Sequence, residues 1–219
     1  MKTIHLAIIL DRSGSMEACR DATISGFNEY ITGIRESSER AELETRVTLV
    51  TFNHGMKTAY FDEPLARLKP ISRETYVPEG NTAMLDAVGA TLKRLEKLGA
   101  KRPDPDGRDS YLICIISDGL ENASRRFDYS TIAETIQRLS ATDRWTFTYL
   151  GSNQDLSLIS QRMGIPAGYA ADYASSPVGT REAWRRHGRS TRVRMDDVAR
   201  GVPPSPFYKD EPEQPDVDA

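Results

Sequence analysis

The chain has 219 residues, 38% of them hydrophobic and 28% charged, and a formal net charge of −3 at pH 7. That length fits one domain with a sizeable core, and the charge balance gives no whole-chain case for nucleic acid or an anionic membrane as partner. No apolar run approaches the ~20 residues of a membrane span. Lys2 precedes an apolar stretch, but this ends at Leu10 with Asp11 and Arg12 and without a small-residue cleavage site, so a cytoplasmic location is expected.

Short, nearly continuous apolar runs at Leu6–Leu10, Val47–Phe52, Leu112–Ile116 and Thr146–Leu150 read as strands covered on both faces. Helical spacing separates them: Ile24, Phe27, Ile31 and Ile34; then Leu85, Val88, Leu92 and Leu95; then Ile132, Ile136 and Leu139; then Leu156, Ile159 and Met163. Asn53-His54-Gly55 leaves no room for a helix after the second strand. It predicts a hairpin, with an antiparallel third strand. A last short strand near Gly168–Ala171 and a final helix complete an α/β order. The predicted fold is three-layered, with a doubly wound, mostly parallel sheet and one antiparallel edge strand.

The end of the chain changes character. Residues 181–200 carry seven arginines and a net charge of +4, with Trp184 expected to pack the helix down and the arginines to form a solvated face. From Val202 the sequence concentrates prolines and acids, which predicts a domain over 1–201 and a disordered tail over 202–219. Cys19 and Cys114 make no ligand or redox spacing and read as small core residues in a reducing compartment. The alternate acids of Asp104–Asp109 read as a solvated turn, and His5, His54 and His187 are scattered.

Two strands finish with an aspartate: "LDRSGS" gives Asp11, and "IISDG" gives Asp118. In an open doubly wound sheet, ligands bind beyond the carboxyl ends of the strands, where the order reverses. If these strands flank that point, Asp11, Ser13, Ser15 and Asp118 share one crevice. Thr82, after Gly80-Asn81, is a third-loop contributor. Two carboxylates and three hydroxyls suit a hard cation, Mg²⁺ with Mn²⁺ as substitute. Two aspartates neutralise a dication and no more, so the metal stays electrophilic and open to a carboxylate from outside.

Asp11-x-Ser13-x-Ser15, then Thr82, then Asp118 resembles the metal-ion-dependent adhesion site of von Willebrand factor A (vWA) domains, over roughly residues 3 to 200. The resemblance implies that Ser13, Ser15 and Thr82 touch the metal and that Asp11 and Asp118 act directly or through water. It also implies a protein partner that supplies Asp or Glu, and binding in place of catalysis. Without a secretion signal the chain resembles the intracellular prokaryotic or phage-borne members. Those often serve as adaptors in larger assemblies, some with AAA+ ATPases. The rival readings are a structural scaffold without a functional metal and a Mg²⁺-dependent haloacid-dehalogenase-like phosphatase. The phosphatase needs a second acid where Ser13 stands, with Glu121 as its only later acidic mimic. The tail carboxylates Glu211, Glu213, Asp216 and Asp218 are also possible self-ligands of the metal.

Overall fold

Among the described residues six strands form one sheet in the order β3-β2-β1-β4-β5-β6: β1 (Thr3–Asp11), β2 (Glu44–Phe52), β3 (Met56–Pro64), β4 (Asp109–Ser117), β5 (Trp145–Gly151) and β6 (Ala170–Asp172). Only β3 runs antiparallel, against β2, and it does so through the hairpin expected at Asn53–Gly55. The structure is a computed structural model and describes residues 2–102, 104, 107–152 and 155–208. Pro105 and Asp106, within the expected turn at Asp104–Asp109, and residues 209–219 of the expected tail lie outside the described residues.

Helices α1 (Arg20–Arg40) and α5 (Pro177–Arg200) cover one face of the sheet. On the other lie α2 (Met84–Lys101), α3 (Tyr129–Ser140) and α4 (Leu156–Arg162). The period-2 geometry of a strand divides β1 between them. Ile4, Leu6, Ile8 and Leu10 pack with Phe27, Ile34 and Trp184, while Ala7 and Ile9 pack with Val88, Leu92 and Ile136. Both faces being covered, the central strands read as continuous apolar runs and not as alternating ones.

The α1–α5 contact is close because Gly26 faces Trp184. A Cβ at residue 26 would lie 2.5 Å from Trp184 Cδ1 and 2.8 Å from its Cβ, too near for any carbon pair. Gly26→Ala is therefore expected to destabilise the protein by roughly 1–3 kcal/mol through overpacking. Its urea midpoint should fall at unchanged slope; an unshifted midpoint would mean that α5 rides away from α1 freely.

β3 carries a second polar cluster. Asp62 sits at a bulge with φ of 51° and is buried, and its amide donates to Thr48 Oγ1 at 3.0 Å. His5 Nδ1 lies 2.8 Å from its Oδ1, and Arg46 Nε (3.0 Å) and Arg102 Nη1 (2.8 Å) pair with Oδ2. His5 also stacks on Tyr111, and Tyr111 on Trp145, with centroids 4.6 and 4.0 Å apart.

The chain leaves α5 through Gly201 in the left-handed conformation (φ 75°). Residues 202–208 then pack back on the domain. Phe207 and Tyr208 are buried, and Tyr208 N donates to Gly168 O at 2.9 Å. Two aromatic rings in an otherwise polar, proline-rich stretch supply the apolar area that holds it down.

Candidate metal centre

The strand order reverses between β1 and β4, and Asp11 and Asp118 stand at the carboxyl ends of these two neighbours. Ser13 N donates to Asp11 Oδ1 at 2.6 Å, a tight turn that brings the first loop back over the strand end. Ser13 Oγ lies 3.1 Å from Ser15 Oγ, and Ser15 Oγ donates to Asp118 Oδ1 at 2.5 Å. Asp11, Ser13, Thr82 and Asp118 are buried, and Ser15 is exposed at the mouth.

Thr82 arrives from the opposite side. Its amide donates to Asn122 Oδ1 at 2.9 Å, and its carbonyl accepts from the amides of Asn122 and Ala123. Gly14 N donates to Gly80 O at 3.0 Å and joins the first and third loops. Gly80 has φ of 73°, and any Cβ there would lie 2.4 Å from His54 Nδ1, so this loop requires glycine. The three hydroxyls converge at Gly119: the point where its Cβ would stand is 2.9 Å from Thr82 Oγ1, 3.3 Å from Ser15 Oγ and 3.5 Å from Ser13 Oγ. All five expected site residues are thus brought together.

Three contributors, Ser117, Tyr76 and Asn122, escape a reading of the sequence, and Glu121 plays another part than the acidic mimic considered there. Ser117 Oγ donates to Asp11 Oδ2 at 2.6 Å, and Tyr76 Oη donates to the Asp11 carbonyl at 2.6 Å. Asn122 holds Thr82 as described. Glu121 accepts from the amides of Leu85, Ala123 and Ser124 and from Ser124 Oγ, which latches the loop after β4 onto α2. Ser117, next to Asp118 in the sequence, carried a local signal.

Among the described residues no three His, Cys, Asp or Glu side chains gather as a metal-binding group. The donor set here has two carboxylates and three hydroxyls, and its fit to a cation shows in the carboxylates. Asp118 Oδ2 is buried without a hydrogen-bond partner. Burial pushes the Asp11 carboxyl up from 3.8 to about 6, against the hydrogen bonds from Ser117 and Ser13, and the charge of Asp118 adds to the rise. Asp118 is raised too, chiefly by burial, with the Ser15 hydrogen bond opposing it. Two desolvated acids and an orphaned oxygen are groups that a hard dication would satisfy.

The sign of the Asp11 shift sets a pH dependence. A carboxyl whose folded pKa lies above its unfolded value opposes folding when ionised, and this opposition fades as pH falls through about 6. The metal-free protein is expected to gain stability from pH 7 to pH 5, by roughly 1 kcal/mol from this group. A cation held there would compete with that proton, so Mn²⁺ affinity should fall over the same range. Affinity that is flat between pH 7 and 5 would separate Asp11 from the site.

No family model and no curated protein matches the sequence. Solved structures match along most of its length. The vWF domain of the type V pili tip protein Mfa5 from Porphyromonas gingivalis is 12% identical, with a TM-score of 0.61, over 89% of this chain and 96% of that one. The fold is von Willebrand factor A-like. A von Willebrand factor type A structure from Catenulispora acidiphila (16% identity, TM-score 0.53) matches 90% of this vWA-like chain and 43% of its own. Proximal thread matrix protein 1 from the mussel byssus, with a zinc-occupied MIDAS motif, matches at 13% identity and a TM-score of 0.55. The alignment covers 90% of this vWA-like chain, which spans about half the length (48%) of the mussel protein. No helix among the described residues is long and apolar enough to cross a membrane.

Proposed function

We propose that the chain is a metal-dependent protein-binding module. Ser13, Ser15 and Thr82 hold Mg²⁺, with Mn²⁺ as substitute, and Asp11 and Asp118 act directly or through water. An Asp or Glu of a partner protein then completes the shell. The observation that carries this reading is the convergence of three hydroxyls on one point beside the orphaned oxygen of Asp118. Two carboxylates cancel the charge of a dication and no more, and neutral hydroxyls leave it attractive to a further anion.

Binding is favoured over catalysis because the position of a phosphatase's second acid holds Ser13, while Glu121 is engaged by backbone amides. The likeness to a pilus tip domain and a byssus matrix protein supports a binding or structural role in general terms. The cytoplasmic placement rests on Cys19 and Cys114, both buried and unpaired. Membership of an adaptor assembly, such as one with an AAA+ ATPase, belongs to the same proposal. A scaffold without metal draws on one observation: the hydrogen bond from Ser15 to Asp118 already joins two of the site's groups.

Titration of Mn²⁺ into chelator-treated protein, with free Mn²⁺ read by electron paramagnetic resonance, should show one saturable site. Addition of a glutamate-rich peptide should then lower the water-proton relaxation enhancement of bound Mn²⁺, as a carboxylate replaces water. No saturable uptake would leave the scaffold reading. Uptake without a peptide effect would remove the acidic partner.

A further inference from the structure

Residues 202–208 return along α5 and enclose a cavity of about 280 Å³ against the helix. Pro206 and Phe207 form one wall, and Arg186, Val193 and Arg194 line the other. The first wall is held in place. Phe207 is buried, its ring centroid lies 4.9 Å from that of Tyr208, and Tyr208 Oη meets His187 Nδ1 at 2.7 Å.

The second wall carries charge that the fold leaves unmatched. Arg194 is only 6% exposed, and its Nη1 donates to a neutral acceptor, Val202 O, at 3.1 Å. The Arg186 guanidinium stands 5.3 Å from the Tyr208 ring centroid. Among the described residues neither arginine forms an ion pair with a carboxylate. Asp197 also lines the cavity, but its Oδ1 accepts from Arg200 Nη2 at 2.7 Å, and Arg189 at the border pairs with Glu182 at 3.4 Å. Burial lowers the Arg194 pKa from its ordinary value, and the charge of Asp197 opposes this without cancelling it. Buried charges in proteins are normally paired, and a guanidinium is the side chain best shaped to take a carboxylate. Beside that cation lie the apolar surfaces of Val193, Pro206 and Phe207, which suit hydrocarbon.

We propose that this cavity binds a small carboxylic acid with an apolar body. Its carboxylate meets Arg194, and its hydrocarbon runs along Val193, Pro206 and Phe207 toward Arg186. The ligand supplies the counter-charge that the described side chains do not give Arg194. None of Asp11, Ser13, Ser15, Thr82 and Asp118 lines this cavity, so the inference is independent of the metal centre.

The probe is hexanoate, titrated into the full chain with a metal chelator present and followed by ¹H–¹⁵N NMR; hexan-1-ol and hexylammonium are the matched controls. Saturable shifts should centre on the amides of residues 186–197 and 206–208. Hexan-1-ol should bind at least about 10-fold more weakly than hexanoate, since it lacks the charge-assisted hydrogen bond, and hexylammonium more weakly still. Arg194→Gln should cost at least about 10-fold. Val193→Asp should do the same by placing a like charge on the wall, and it keeps the bond from Arg194 to Val202. Thermal melting checks that both variants are folded. The proposal is overturned by the absence of saturable shifts, by equal affinity for hexan-1-ol, or by unchanged hexanoate binding in either variant.

Discussion

Asp118→Ala should lose Mn²⁺ binding and, at the same time, make the metal-free protein more stable. Loss of a group that only supports a ligand typically costs 10- to 100-fold in metal affinity. Removal of one of two charges in the donor set should exceed roughly 100-fold. The stability change runs the other way because Asp118 is buried, its pKa is raised, and Oδ2 has no partner. Deletion of an unsatisfied buried group should add about 1 kcal/mol at pH 7, a trade of stability against function. Ser13→Ala should lower affinity without that gain, since its hydroxyl is neutral and paired with Ser15. Urea melts with and without Mn²⁺ separate the two effects. An Asp118→Ala chain that binds Mn²⁺ as wild type does would leave no role for the residue at a metal.

Asp62→Ala is expected to be the most destabilising single change at the polar cluster of β3, by about 3 kcal/mol, because it leaves His5 and Arg46 without their shared acid. Burial alone would raise the Asp62 carboxyl, but the hydrogen bond and charge of His5 and the charge of Arg46 outweigh it. The pKa lies below 3.8. With the folded value depressed, this contribution is complete above the unfolded value and is lost as pH falls through the folded one. Wild type should therefore lose urea stability below about pH 4 more steeply than Asp62→Asn. Parallel acid limbs would show that the ion pairs contribute nothing net.

Most of the architecture was legible because both faces of the sheet are covered. Continuous apolar runs can only be central strands there, and the hairpin at Asn53–Gly55 admits no helix. The meeting of the five candidate residues was legible because a switch point exposes strand ends, and Asp11 and Asp118 are written at those ends. Their support was not. Tyr76 reaches the Asp11 carbonyl across 65 positions, and Asn122 holds Thr82 across 40, separations that no local pattern encodes. Asp62 joins His5 through a bulge whose register shift is invisible in the strand's residues. The packing of Phe207 and Tyr208 was hidden for a different reason: composition averages over a window, and two aromatic rings do not stand out in it.

The placement of the two acids also bears on how firmly they are held. β1 and β4 are each paired on both sides, in the middle of the sheet. Their amides, such as those of Leu10 and Ile116, should exchange with solvent only through global unfolding, on the slowest timescale the molecule has. Thr82 stands in a loop held by a few bonds to Asn122 and Ala123. The crevice therefore has one jaw made by the central strands and one made by the Thr82 loop, which hydrogen bonds tie to Arg12, Gly14, Asn53, Asn122 and Ala123.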